Sequence, residues 1–207
     1  MRASACRTLE GRRIRTSVEL LTAYLHLALR TMHVVLIGYR GTGKSTVGRL
    51  VAERLGRAFF DADRCLEERA GKSIKAIFDE QGEAAFRQLE VEVTAELMEA
   101  PPAVLSMGGG VVLRAENREA IAAGKVVWLT ASPETVHDRL AADPATHGQR
   151  PNLTATGGYA EIRDLMEERQ PLYLTCCDHE IATDGKMLEQ IAEEIVSLVE
   201  CGDSSRQ

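Results

Sequence analysis

His33-Val-Val-Leu-Ile-Gly38-Tyr-Arg-Gly41-Thr-Gly43-Lys44-Ser45 is a short apolar run that ends in a glycine-rich turn. The β-branched HVVLI, closed by Gly38, has the make-up of a strand buried on both faces. Just beyond it, Val47, Leu50, Val51 and Leu55 fall on one face of a helix starting at Lys44. Between strand and helix, residues 38–45 match G-x-x-x-x-G-K-[ST], in the context that motif requires. Four fixed positions match by accident in about one such chain per hundred or fewer. The pattern predicts a phosphate cradle. Glycines such as Gly41 and Gly43 let backbone N–H groups turn inward around phosphate oxygens, and the helix N-terminus adds its positive end. Lys44 supplies a point charge for the β- and γ-phosphates. The Ser45 hydroxyl is a ligand for Mg²⁺, and Thr42 and Thr46 complete the ATP-binding set.

Outward from this stretch, apolar runs alternate with amphipathic ones. Residues 58–60 read as a second strand ending at Asp61, and 73–78 and 83–99 as helices. Pro101 and Pro102 separate these from a strand over 104–107. Residues 116–123 are helical, 126–129 form a fourth strand, and Ser132-Pro133 opens another helix. Residues 143–158, rich in Pro, Gly, Thr and Asn, predict a mobile lid. A helix from 159 to 170, a strand over 180–182 and a helix over 186–199 close the pattern. The expectation is a three-layer α/β fold of the P-loop NTPase type. A central five-stranded parallel sheet carries helices on both faces, and ligands sit beyond the carboxyl ends of the strands.

The chain of 207 residues suits one domain, expected over 32–200, with a tail over 201–207. Residues 1–31 carry six arginines against Glu10 and Glu19. Three readings fit this basic extension: an Arg-rich transit-like peptide, a helix lying on the domain through Val18, Leu21, Leu25 and Leu29, or a loose tail upstream of a true start at Met32. Net charge of −6 and 4% aromatic residues argue against nucleic-acid binding by charge or base stacking. No apolar run reaches the ~18 residues of a membrane span. Cys6, Cys65, Cys176, Cys177 and Cys201 show no C-x-x-C spacing, so reduced thiols in a cytoplasmic, monomeric protein are expected.

Other residues gain meaning beside the cradle. Asp61 and Asp63 stand two apart at a strand end, where both would face one side of an extended chain. One would serve near the metal and the other at an acceptor hydroxyl; the plain alternative is a helix cap. Arg87 and Glu90 share a helix face, as a site pair or a surface ion pair. Gly108-Gly109-Gly110 follows the third strand, for close approach of a ligand or as a simple turn. Arg150 lies in the expected lid, where it would neutralise transferring phosphate charge. Arg169 stands before Pro171, which should end its helix.

Taken in order, these pieces resemble the shikimate kinase family from about residue 33 to 199. They are 38–46, Phe60-Asp61-Ala62-Asp63, Ser73-Ile74, Ile77-Phe78, Gly82-Glu83, Phe86-Arg87, Glu90, Ser106-Met107-Gly108-Gly109-Gly110, Arg150-Pro151-Asn152-Leu153 and Arg169-Gln170-Pro171-Leu172-Tyr173. The resemblance implies phosphorylation of the 3-hydroxyl of shikimate by ATP, with Mg²⁺ as cofactor. It implies Asp63 at the substrate hydroxyls, Asp61 supporting Mg²⁺ through water, and Arg87 and Arg169 clamping the carboxylate. Gly109 would offer its N–H, Phe78 and Phe86 would wall the pocket, and Arg150 would close over ATP. Arg139 resembles the arginine against adenine. Asn152 departs from the commoner leucine there, which touches lid packing and not the arginine. The rivals are a gluconate-type kinase on the same cradle and a non-catalytic binding regulator. The Asp pair, glycine triplet and two arginines oppose the first; intact Lys44, Ser45, Asp63 and Arg150 oppose the second.

Overall fold

In the computed structural model, which describes residues 32–142 and 158–201, strand β1 (Val34–Ile37) is buried at every position. That is the pattern of a strand covered on both faces, and the core divides accordingly. Val35 and Ile37 face one layer, with Leu66, Ile77, Phe86, Leu97, Ile121 and Tyr173. Val34 and Leu36 face the other, with Val47, Val51, Ile191 and Ile195. The alternation along one strand is what makes three layers out of one sheet.

Among the described residues, five strands run in the order β2-β3-β1-β4-β5, all parallel. Here β2 is Ala58–Asp61, β3 Ala103–Ser106, β4 Lys125–Thr130 and β5 His179–Ala182. Helix α1 (Lys44–Leu55) packs with α7 (Leu188–Cys201) on one face. Helices α2 (Ala62–Ala70), α3 (Ile74–Glu99) and α4 (Ala115–Ile121) lie with α6 (Gly158–Cys176) on the other. Helix α5 (Pro133–Ala142) packs on α6 beside Tyr39. The registers Leu36↔Ser106 and Asp61↔Ser106 bring the carboxyl ends of β1, β3 and β2 level. The expected fold class is therefore the observed one.

Local readings need two corrections. Helix α6 runs through Pro171 to Cys176, where an end near 170 was expected. Proline removes one backbone donor and crowds the preceding turn. The next turn holds because Tyr173 is buried, stacks on Trp128 at 5.5 Å and donates to the Gly109 carbonyl at 2.6 Å. The second correction concerns Asp63. The strand stops at Asp61, and Asp63 lies in the first turn of α2, so the two carboxylates do not share a strand face. The separation of 73–78 from 83–99 survives: Gly82, at φ 80° and ψ 175°, breaks α3 into two helical pieces. Segment 1–31, residues 143–157 of the expected lid and the tail from 202 lie outside the described residues.

Helix α1 rests on the sheet through Gly48. A Cβ there would stand 2.6 Å from Phe59 Cε2 and 3.2 Å from Leu36 Cδ1. Gly48→Val should therefore overpack this contact and lower stability by about 1–3 kcal/mol. The check is the urea midpoint at unchanged slope; a midpoint equal to the parent's would show that the contact yields freely.

Candidate active site

The phosphate loop leaves β1 at Gly38 and enters α1 at Lys44. Gly43, at φ 93°, caps that helix without a side chain in the way, a conformation L-residues rarely adopt. Lys44 is nearly buried, and its ammonium donates to the carbonyls of Gly38 and Tyr39 at 2.8 Å each. The Tyr39 carbonyl also accepts from Thr42 Oγ1 at 2.8 Å. The loop thus curls around its own lysine.

Beside the loop, three oxygens meet. Ser45 Oγ donates to Asp61 Oδ2 at 2.5 Å and lies 3.2 Å from Ser106 Oγ. Asp61 also caps α2, accepting from Arg64 N, so the helix-cap reading holds for this residue. Hard oxygen donors suit Mg²⁺, which commonly takes one or two protein groups and fills its remaining sites with water and phosphate oxygens. No group of three or more His, Cys, Asp or Glu able to hold a metal occurs among the described residues. The oxygens of Ser45, Asp61 and Ser106 are of the type such a cation takes. Ser106 was missed as a site residue. A hydroxyl closing an otherwise apolar strand next to the loop was the available signal.

A crevice of about 760 Å³ opens over these groups. Gly41, Thr42, Gly43, Lys44, Ser45 and Thr46 line it together with Asp63 and Gly109. Arg139, Thr183, Lys186 and Met187 line it as well. Arg139 is fastened there, donating to Thr183 Oγ1 at 3.0 Å and to the Gly41 carbonyl at 3.3 Å. Sequence reasoning named Arg139 but not Lys186 and Met187, whose loop carries no motif.

Gly108-Gly109-Gly110 answers a need that the sequence did not reveal. A Cβ on Gly108 would stand 2.7 Å from Asp63 Oδ1 and 3.1 Å from Glu90 Oε1. One on Gly110 would stand 2.8 Å from Arg87 Cζ. The outer two glycines are seats for side chains, not a simple turn. The middle one presents its carbonyl backward, where it accepts from Arg169 Nη1 at 3.1 Å and from Tyr173.

Arg87 is no surface residue. It is 8% exposed, pairs with Glu90 at 2.9 Å and Glu83 at 3.2 Å, and lies 5.0 Å from the Phe86 ring centre. Phe86 and Phe78 pack with ring centres 4.6 Å apart and planes tilted by 33°. Arg169 is equally buried, and its Nε has no hydrogen-bond partner. Arg87 and Arg169 stand behind the glycines rather than on the crevice wall itself. Arg150 lies outside the described residues. Cys65, Cys176 and Cys177 are free and half-buried; burial pushes each thiol's pKa up, away from a reactive thiolate.

Residues 40–200 match the family model described as Shikimate kinase. Shikimate kinase of Symbiobacterium thermophilum is 43% identical over 166 residues, covering 80% of this chain and 94% of that protein. Shikimate kinase of Thermus thermophilus is 43% identical over 164 residues, covering 79% and 87%. The structure of shikimate kinase from Acinetobacter baumannii in complex with shikimate aligns at a TM-score of 0.77 and 35% identity. It covers 84% of this chain and 96% of that one.

The seating of Arg87 on Gly110 makes a sharp prediction. Gly110→Ala should fold, because its φ of −105° suits any residue, but the guanidinium should leave its place. A crystal structure of the variant settles it; Arg87 still bonded to Glu90 against residue 110 would contradict the packing described.

Proposed function

The chain belongs to the shikimate kinase family, and from that premise we propose how its crevice carries the reaction. The protein transfers the γ-phosphoryl group of ATP to shikimate. The acceptor oxygen is the 3-hydroxyl, and the products are ADP and shikimate 3-phosphate. One observation carries this reading above the others: Lys44 and Asp63 line the same crevice, with Gly109 between them and the buried arginines.

The nucleotide phosphates lie on the amides of residues 41–46. Lys44 trades the carbonyls of Gly38 and Tyr39 for β- and γ-oxygens, keeping its charge compensated throughout. Ser45 and, through water, Asp61 would hold Mg²⁺, which would supply neutralisation of phosphate charge. Asp63 binds the ring hydroxyls, orients the attacking one and accepts its proton as the O–P bond forms and ADP departs. Arg87 and Arg169 hold the substrate carboxylate. Arg169 suits this well: Nη1 is engaged by Gly109, and the unpartnered Nε leaves one edge of the guanidinium for two parallel bonds. Leaving such a buried N–H unpaired costs about 1–3 kcal/mol, which a carboxylate would recover. The Gly109 N–H faces the substrate, Phe78 and Phe86 wall the ring, and Arg139 flanks adenine. Arg150, from the lid expected over 143–158, closes over ATP and excludes water. Positioning and charge neutralisation do most of the catalysis.

The protein acts as a monomer in the cytoplasm, without a nucleic-acid or membrane partner. In support of the absence of a nucleic-acid partner, the chain carries a net charge of −6.

The test is ADP release with MgATP and shikimate, against gluconate and quinate as controls. Release only with shikimate is expected; release with gluconate instead would discard the pocket assignment. Lys44→Ala should cut kcat by about 100-fold or more, and a near-normal value would sink the cradle's role. Arg169→Ala should raise the shikimate KM about 10- to 100-fold, from the loss of a charge-assisted bidentate pair. Its ATP KM should stay put; a loss confined to ATP would contradict the clamp.

A further inference from the structure

The two buried arginines are held in different ways. Arg87 is gripped by the carboxylates of Glu83 and Glu90. Arg169 forms no ion pair among the described residues; it has the Gly109 carbonyl, the Tyr173 hydroxyl that shares that carbonyl, and the ring of Tyr39, whose centre lies 5.9 Å from its Cζ. Neutral contacts clustered at the Gly109 carbonyl hold one end of the guanidinium, and the ring supplies a constraint on its plane. A cation lying over an aromatic face is attracted without being neutralised. Arg169 is thereby oriented while its full charge stays available to an anion.

Phosphate binding does not ask for an aromatic residue at position 39, since the loop works through backbone amides and Lys44. Yet Tyr39 is 2% exposed and packed against Ala131, Val136 and Ile162, which pins the ring. Its buried hydroxyl makes no hydrogen bond of good geometry, although Arg40 stands close enough to pull on its proton, and the apolar packing around the ring is what fixes its place. The same residue's carbonyl receives the Lys44 ammonium. Arg40 also lies over the ring, 5.8 Å from its centre, and reaches Glu161 at 3.4 Å.

We propose that Tyr39 is a positioning residue for the acceptor: its ring sets the plane in which Arg169 meets the shikimate carboxylate. It thereby ties acceptor recognition to the loop that holds ATP. The proposal rests on the reading of Arg169 as the carboxylate clamp.

Tyr39→Leu removes the ring's π face and tests it. The expected result is a rise of about 3- to 30-fold in the shikimate KM, the worth of a desolvated cation–π contact. The ATP KM and kcat should move less than about twofold, and Tyr39→Phe should behave as the parent. In an Arg169→Ala background, Tyr39→Leu should add nothing. Should Tyr39→Leu fail to fold, phenylalanine with increasing ring fluorination at position 39 keeps the shape and weakens the π face. The shikimate KM should then climb with each fluorine. An unchanged shikimate KM in Tyr39→Leu, or across the fluorinated series, while Arg169→Ala still raises it, overturns the positioning role alone. A full effect of Tyr39→Leu without Arg169 also overturns it, because the ring would then act through packing. An unchanged shikimate KM in Arg169→Ala overturns the clamp first, and this proposal with it.

Discussion

A nearly buried ammonium governs how this site is built. Lys44 sits at the first turn of a helix, where its charge and the helix's positive end repel each other. The carbonyls of Gly38 and Tyr39 offset that cost by turning back onto Nζ. Only a loop rich in glycine can curl so tightly, and in the reaction proposed above its backbone amides receive the phosphates. The parallel sheet then dictates what lies nearby. With β1 between β3 and β4, the ends of β2 and β3 deliver Asp61 and Ser106 to Ser45. The acceptor side follows from the same order, because the glycines after β3 open directly onto the loop.

Those glycines explain how three charged side chains crowd into one place. Each of the outer two gives up a Cβ so that Asp63, Glu90 or Arg87 can lie against the backbone. The middle one turns its carbonyl to Arg169 and Tyr173. Side chains arriving from α2, α3 and α6 therefore share one short backbone stretch as a common reference. That is an economical way to hold groups from three helices at fixed spacing.

Much of this was legible in the sequence because it is local. The strand–loop–helix pattern, the five strands and the helix breaks depend on spacing within a few residues, and they stand with ends shifted by one or two positions. Helices over 73–78 and 83–99 were expected as separate pieces, and Gly82 divides them at φ 80°. The failures are tertiary. Pro171 should end α6, but the burial of Tyr173 carries the helix past it. Asp63 was placed on the face of a strand that stops two residues sooner. The purpose of the outer glycines was invisible, since their neighbours lie about 20 to 45 positions away in the chain. The role argued for Tyr39 has the same character: only the fold brings position 39 to position 169.

The central claim is that one crevice aligns the γ-phosphate with a single hydroxyl of shikimate. The most direct test is ³¹P NMR of the product formed from MgATP and shikimate. The account predicts one new phosphomonoester resonance, coupled to the ring proton at C3, rising in step with ADP. An ester on another hydroxyl, or inorganic phosphate alone, would contradict it.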